Sequence, residues 1–348
     1  MRRSRSWPVV VAAAALALSG CTAGSSSEAE SVDPLNSVES PTATPPSDGD
    51  PDRRLMFAVV THGTAGDPFW DVVKTGAEEA GAVNNADVDY QADPEPGGQA
   101  QLVDAATSSE VDGLIVSMAD TDALQESITA AVAAGIPVVT INAGEERSQE
   151  FGALTHVGQS ESSAGQGAGD QLRNAGVTKL LCVIHEAGNL ALEERCQGAA
   201  TGLGGQGTDG EQLVGNVRTL QVNASNIAET ETTIASELQA DPAIDGVLTL
   251  NPAVAAAAAD AIDTSGSTAP LATFDLSPDV VQGIRDGQIL FAVDQQQYLQ
   301  GYLPVVFLAL YARNGNVVGG GQPVPTGPRY ITTDNVDTVE DLASNGTR

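Results

Sequence analysis

The residues best suited to chemistry in this sequence are polar side chains that recur just past short apolar runs. Thr61 and His62 follow one such run, Ser117 and Asp120 a second, and Asn142 a third. His185 with Glu186, then Asn251, Asp275 and Gln295, stand in the same relation to runs further on. Asp, Asn and Gln can each engage neighbouring hydroxyls through two polar atoms, which suits a polyhydroxylated ligand. Phe69 and Trp70 can cover the apolar C–H face of a ring. Arg195, one of few basic residues, can fork two hydrogen bonds onto hydroxyl or ring oxygens. Plainer readings stand beside these. Asp and Asn after strands are ordinary turn and cap residues, and an aromatic pair is often simply core.

Other chemistries find no support. His62, His156 and His185 are scattered without ligand spacing, so no metal site is expected, and no cofactor. There is no G-x-S-x-G, H-E-x-x-H or Walker sequence, and no spacing singles out an acid/base pair of carboxylates. The chain is therefore not read as an enzyme.

The elements that must position these residues begin with Leu55–Gly81. Leu55 to Val60 reads as a buried strand and Thr61 to Asp67 as a polar turn. Pro68 then opens a helix that Asp67 caps, with Val72, Val73, Ala77 and Ala80 on one apolar face. Strand and helix alternate from there to the end of the chain, which predicts parallel sheets with helices on both faces. Val111–Val116 and Ile244–Thr249 resemble each other, and each leads into a polar turn, an Ala-rich helix and another strand. The fold class expected is α/β, with two similar doubly wound lobes. In such sheets ligands bind at the carboxyl ends of the strands.

The first twenty residues stand outside this pattern. Arg2, Arg3 and Arg5 precede an apolar run, Trp7 to Leu18, too short to span a bilayer comfortably. Leu18-Ser19-Gly20-Cys21 resembles the lipobox of bacterial lipoproteins, which makes residues 1–20 a signal peptide and Cys21 the lipid attachment site. A signal peptide cut elsewhere is the alternative. Residues 21–53 are rich in Ser, Glu, Asp, Pro and Thr and read as a flexible leash. Removing residues 1–20 leaves 12 basic against 46 acidic residues, a net of −34. That balance argues against nucleic acid as a partner and against adhesion to anionic lipid. Cys182 and Cys196 then remain as an even pair, either a disulfide or two buried thiols.

The order of motifs resembles the ribose-binding-like group of periplasmic sugar-binding proteins of ABC importers. The resemblance rests on Asp67-Pro68-Phe69-Trp70, Gly135 to Asn142, Glu194-Arg195-Cys196-Gln197-Gly198, Phe274-Asp275 and Asp294-Gln295-Gln296. It implies a type I periplasmic binding protein fold in which the chain crosses between lobes three times. Lobe 1 would comprise 54–158 and 296–325, and lobe 2 159–295 and 326–348. It makes Asp67 the polar residue of the first loop and Phe69 and Trp70 the ring-stacking pair. Asn142 falls on an acidic hydroxyl ligand, Arg195 on the guanidinium ligand, Asn251 and Asp275 on second-lobe polar ligands, and Gln295 on a hinge-side amide.

Three departures point away from ribose itself. Asp67 replaces an asparagine, Asn142 replaces an aspartate, and Ala143 stands where ribose binders carry a second arginine. No aromatic residue lies between Phe151 and Phe274, so the second lobe lacks a stacking ring. The function implied is a monomeric, lipid-anchored, extracytoplasmic protein that captures a neutral carbohydrate or polyol and delivers it to an ABC permease. A sensor subunit for a membrane receptor and an extracytoplasmic carbohydrate-active enzyme are the alternatives.

Overall fold

The computed structural model describes residues 52–64, 66–204 and 216–348. The expected signal peptide, Cys21 and nearly all of the leash lie outside the described residues, as does the first part of a strand expected from Gln212.

Two six-stranded sheets organise the chain. The first contains β1 (Leu55–Thr61), β2 (Ala86–Ala92), β3 (Gly113–Ser117), β4 (Val138–Asn142), β5 (Thr155–Gly158) and, returning late, β11 (Val324–Pro325). The second contains β6 (Leu180–Ile184), β7 (Val217–Gln221), β8 (Gly246–Thr249), β9 (Leu271–Phe274), β10 (Ile289–Asp294) and β12 (Arg329–Ile331). The orders are β11-β5-β4-β3-β1-β2 and β12-β10-β9-β8-β6-β7, and every pair is parallel except β10 with β12. Each sheet therefore reverses its winding beside its first strand, between β1 and β3 and between β6 and β8. Those switch points are where a doubly wound sheet opens a crevice.

The connecting helices are α1 (Pro68–Val83), α2 (Pro96–Ser108), α3 (Thr121–Ala133), α4 (Glu145–Ser148) and α5 (Glu161–Asn174). They continue with α6 (Leu190–Gly202), α7 (Ile227–Ala240), α8 (Pro252–Ser265), α9 (Pro278–Arg285), α10 (Gln297–Asn314) and α11 (Glu340–Ser344). The short α4, β11 and α11 were not expected; four residues or fewer of pattern, or an isolated final turn, carry no periodicity to read. Among the described residues no helix is long and apolar enough to cross a membrane.

Both faces of each sheet are covered, so its central strands are buried and largely apolar. In β1, Phe57 and Val59 pack towards α1 and α10, while Ala58 and Val60 pack towards α2 and α3. In the second sheet Leu181 and Val183 enter one core, and Leu180, Cys182 and Ile184 the other. The chain passes between the sheets three times, from β5 to α5, from β10 to α10 and from β11 to β12.

Two helices need special closeness. A Cβ on Gly165 of α5 would stand 2.1 Å from the carbonyl oxygen of Arg195, and one on Gly198 of α6 would stand 2.3 Å from that of Ser162. Only glycine lets these backbones touch. Cys182 and Cys196 are joined by a disulfide, with Cα atoms 5.8 Å apart, which ties α6 to β6 one residue from Arg195.

Candidate functional site

The carboxyl ends of the two sheets face one small gap. Asp67, Phe69, Trp70, Asn142, Arg195, Asn251, Asp275 and Gln295 all line it, four from each sheet's share of the chain. His62, His185, Glu186 and Asn189 add further polar groups to the lining. The first three of these stood among the strand-end residues of the sequence; Asn189 gave no signal beyond that of a helix cap.

The first sheet supplies an aromatic wall. Asp67 Oδ1 accepts from the Phe69 N–H at 2.9 Å, which caps α1 and sets both rings in its first turn. Phe69 and Trp70 meet edge to face with centroids 4.9 Å apart, and His62 meets Trp70 edge-on at 4.8 Å. Both rings belong to the core of the first sheet as well as to the gap. The plain reading of the pair as core therefore holds. The Ser117 Oγ accepts from the His62 backbone N–H at 3.1 Å and meets its Nδ1 at 2.7 Å. Burial holds His62 below the usual imidazole range, helped by Arg195 and opposed by Glu186. Burial also pushes the Asp67 carboxyl up to about 6, against the pull of the Phe69 N–H.

The second sheet supplies a charged wall. Glu161 accepts from Arg195 Nε at 2.5 Å and from Nη2 at 2.8 Å, with both side chains almost wholly buried. The guanidinium carbon lies 4.6 Å from the centre of the Phe274 ring, so an apolar face backs the fork. Asn251 caps α8 by accepting from the Ala253 and Val254 N–H groups through Oδ1, and its NH2 has no hydrogen-bond partner among the described residues. Asn189 caps α6 and donates from Nδ2 to Glu186 at 2.8 Å. Burial raises the Glu186 carboxyl, but His62, His185, Asn189 and Arg195 outweigh it and hold the group low. Asp275 is pushed up to about 7 by burial, although Arg195 and Gln295 both favour its charge.

An amide chain joins the walls. Gln295 donates from Nε2 to Asp275 at 2.8 Å and accepts from Gln300 at 2.9 Å. Asn142 donates weakly to Gln295 and Gln300, at 3.4 and 3.3 Å. Asn142 and Asp275 both end a strand in the left-handed region, with φ of 62° and 68°. Asn and Asp tolerate that conformation better than most residues. The two positions are equivalents in their sheets: Asn142 ends β4, and Asp275 follows β9.

A sequence profile described as the periplasmic binding protein domain matches residues 57–316. The chain belongs to this family. Among solved structures, a carbohydrate transporter from Acidothermus cellulolyticus 11B, crystallised in complex with myo-inositol, is 40% identical with a TM-score of 0.81. The match covers 85% of this chain and 100% of that one. Two relatives known by name are more distant. The xylose/arabinose-binding protein XylF of Sulfolobus acidocaldarius is 25% identical over 67% of this chain, which spans 60% of that protein's length. The ribose import binding protein RbsB of Bacillus subtilis is 27% identical over 77% of this chain and 85% of its own.

Within this periplasmic binding protein, Glu161 and Gln300 are the parts of the site that sequence reasoning passed over. Glu161 reads as an ordinary acid in a helix's first turn, and Gln300 as one more polar residue of α10. Only the fold shows that one grips Arg195 and the other holds Gln295.

Proposed function

We propose that the protein captures a neutral cyclic polyol or monosaccharide, foremost a cyclitol, between its two lobes and delivers it to an ABC permease. The single observation that carries this reading is the lining of one gap by aromatic groups from one sheet and hydroxyl-binding groups from the other. Trp70 and Phe69 would cover the C–H face of the ring. The uncommitted Nη1 of Arg195, the Asn251 amide and the second oxygen of Asp275 would take ring hydroxyls, with Asn142, Gln295 and Asp67 completing the shell. The myo-inositol bound by the relative from Acidothermus favours a six-membered polyol over ribose.

The moving bodies would be 54–158 with 296–325 and 159–295 with 326–348, turning about the three crossings as the ring enters. Outside the described residues, the sequence around Cys21 supports a lipid anchor on the outer face of the cell membrane, and the protein is proposed to act as a monomer. Loss of membrane association on Cys21→Ser, followed by immunoblotting of cell fractions, tests the anchor.

Calorimetric titration with myo-inositol, D-xylose, D-ribose, D-glucose and glycerol tests the ligand class. The reading expects saturable binding of at least one ring polyol, weakened about tenfold or more by Asn251→Ala. Binding by none of the rings would sink it.

A further inference from the structure

Two polar groups to which the proposed shell gives no role come together at the gap from opposite sheets. His62 follows β1 and Glu186 follows β6. Both line the gap, and both line a wider cavity of about 750 Å3 that adjoins it. The charge of Glu186 acts on the His62 ring, and His62 in turn favours that charge.

The hydrogen bonds behind His62 fix what it offers. The buried Ser117 Oγ accepts from the His62 backbone N–H at 3.1 Å. Its own proton has one acceptor among the described residues, His62 Nδ1 at 2.7 Å. Buried hydroxyl protons are seldom left unpaired, so Nδ1 accepts. Burial keeps the ring neutral, and its single proton therefore sits on Nε2. His62 is 6% exposed, yet Nε2 is not fully covered and has no partner among the described residues. It is a donor turned to open space.

Glu186 offers the complement. Its Oε2 accepts from Asn189 Nδ2 at 2.8 Å, while Oε1 has no hydrogen bond among the described residues. His185 Nε2 lies 3.8 Å from Oε1, beyond hydrogen-bond reach. The side chain is 34% exposed, so Oε1 is accessible from the gap. Held low in pKa, Glu186 is a carboxylate at neutral pH and accepts only.

We infer that Glu186 is a specificity-determining residue whose Oε1, together with the Nε2–H of His62, takes one hydroxyl of the solute. The hydroxyl accepts from His62 and donates to Glu186. An ether or carbonyl oxygen would leave the carboxylate without a donor, and a C–H group would leave both unpaired. A carboxylate or phosphate would meet Glu186 as a like charge. The solute class narrows to neutral rings with a free hydroxyl at this position. The inference rests on the proposed function, because the ring must lie between the two walls to reach the pair.

The test is calorimetry on the full chain with myo-inositol, D-xylose, D-ribose and D-glucose, each beside its monodeoxy forms. In Glu186→Gln the amide oxygen keeps the Asn189 bond and the NH2 turns to the gap, so the hydroxyl meets two donors. For a ring that binds, one monodeoxy form should bind about tenfold or more weaker than its parent, and Glu186→Gln should shrink that penalty to about twofold. Penalties at the other positions should stay within about threefold of wild type. His62→Phe, which keeps a ring against Trp70, should shrink the same penalty. Penalties unchanged in Glu186→Gln at every position, or a loss shared equally by parent and monodeoxy forms, would overturn the inference while leaving the proposed function standing. A penalty that His62→Phe leaves whole would overturn the pairing. Binding by none of the rings would overturn both the inference and the function it rests on.

Discussion

The two lobes share a winding order and differ in what they offer a ligand. After β1 the first lobe presents Phe69, Trp70 and His62, packed edge to face and continuous with its core. After β6 the second lobe presents His185 and Glu186, and α6 brings Arg195 locked to Glu161. In the proposed site one wall would offer dispersion and shape, the other charge-assisted hydrogen bonds. An aromatic wall tolerates any ring with an apolar face; a buried fork and paired carboxylates discriminate among hydroxyl arrangements. Selectivity should therefore reside in the second lobe, and general affinity for rings in the first.

The sharpest break in that comparison is Arg195→Met. It strands Glu161 as a buried unpaired charge, which costs on the order of 3–5 kcal/mol. Solute binding should fall more than about a hundredfold, with a clear drop in melting temperature by calorimetry. Trp70→Leu should weaken every ring ligand by roughly ten- to a hundredfold while preserving their rank order. A changed order of preference would mean that the aromatic wall discriminates after all.

Asp275→Asn should weaken binding by about tenfold and yet stabilise the ligand-free protein at alkaline pH. The sign follows from its pKa. The folded group titrates at about 7, above its ordinary 3.8, so it contributes most at low pH. Its contribution is lost as pH rises from about 4 to about 7 and is flat beyond. The variant lacks that loss and should be the more stable by about 2–4 kcal/mol at pH 8, read as the difference between the two chemical unfolding curves. A variant less stable than wild type at pH 8 would show that Arg195 needs the charge more than burial resists it.

The smallest effect on binding belongs to the disulfide. Cys182→Ala with Cys196→Ala opens a link of sequence separation 14, at about 3 kcal/mol of stability. Affinity should stay within about twofold, because Gly165 and Gly198 still seat α6 against α5. A larger loss would mean that the bond itself aims Arg195.

Much of the fold was legible because parallel sheets write themselves as continuous apolar runs, and helices as capped 3.6-residue faces. Asp67-Pro68 marks the start of α1, and Asn251-Pro252 that of α8, in four residues of sequence. Asn142, Asn251, Asp275 and Gln295 could be named because the ends of strands are short stretches with few polar candidates, whereas the roles of Asp67, Phe69, Trp70 and Arg195 came from the family resemblance. What escaped was pairing across distance. Nothing local joins Glu161 to Arg195, 34 positions apart, or Asn142 to Gln300, 158 apart. The edge strand β11 escaped too, since two residues beside β5 are defined by their neighbour rather than by a pattern.

The most direct test of the two-walled cleft uses Trp70 as its reporter. With Trp7 replaced by Phe, Trp70 is the sole tryptophan of the chain. Titration with the ring polyol that binds by calorimetry should shift its emission saturably, at the calorimetric affinity, and Asn251→Ala should move the midpoint to higher concentration. A ligand that binds by calorimetry while the Trp70 emission stays constant would place the solute elsewhere and contradict the cleft described here.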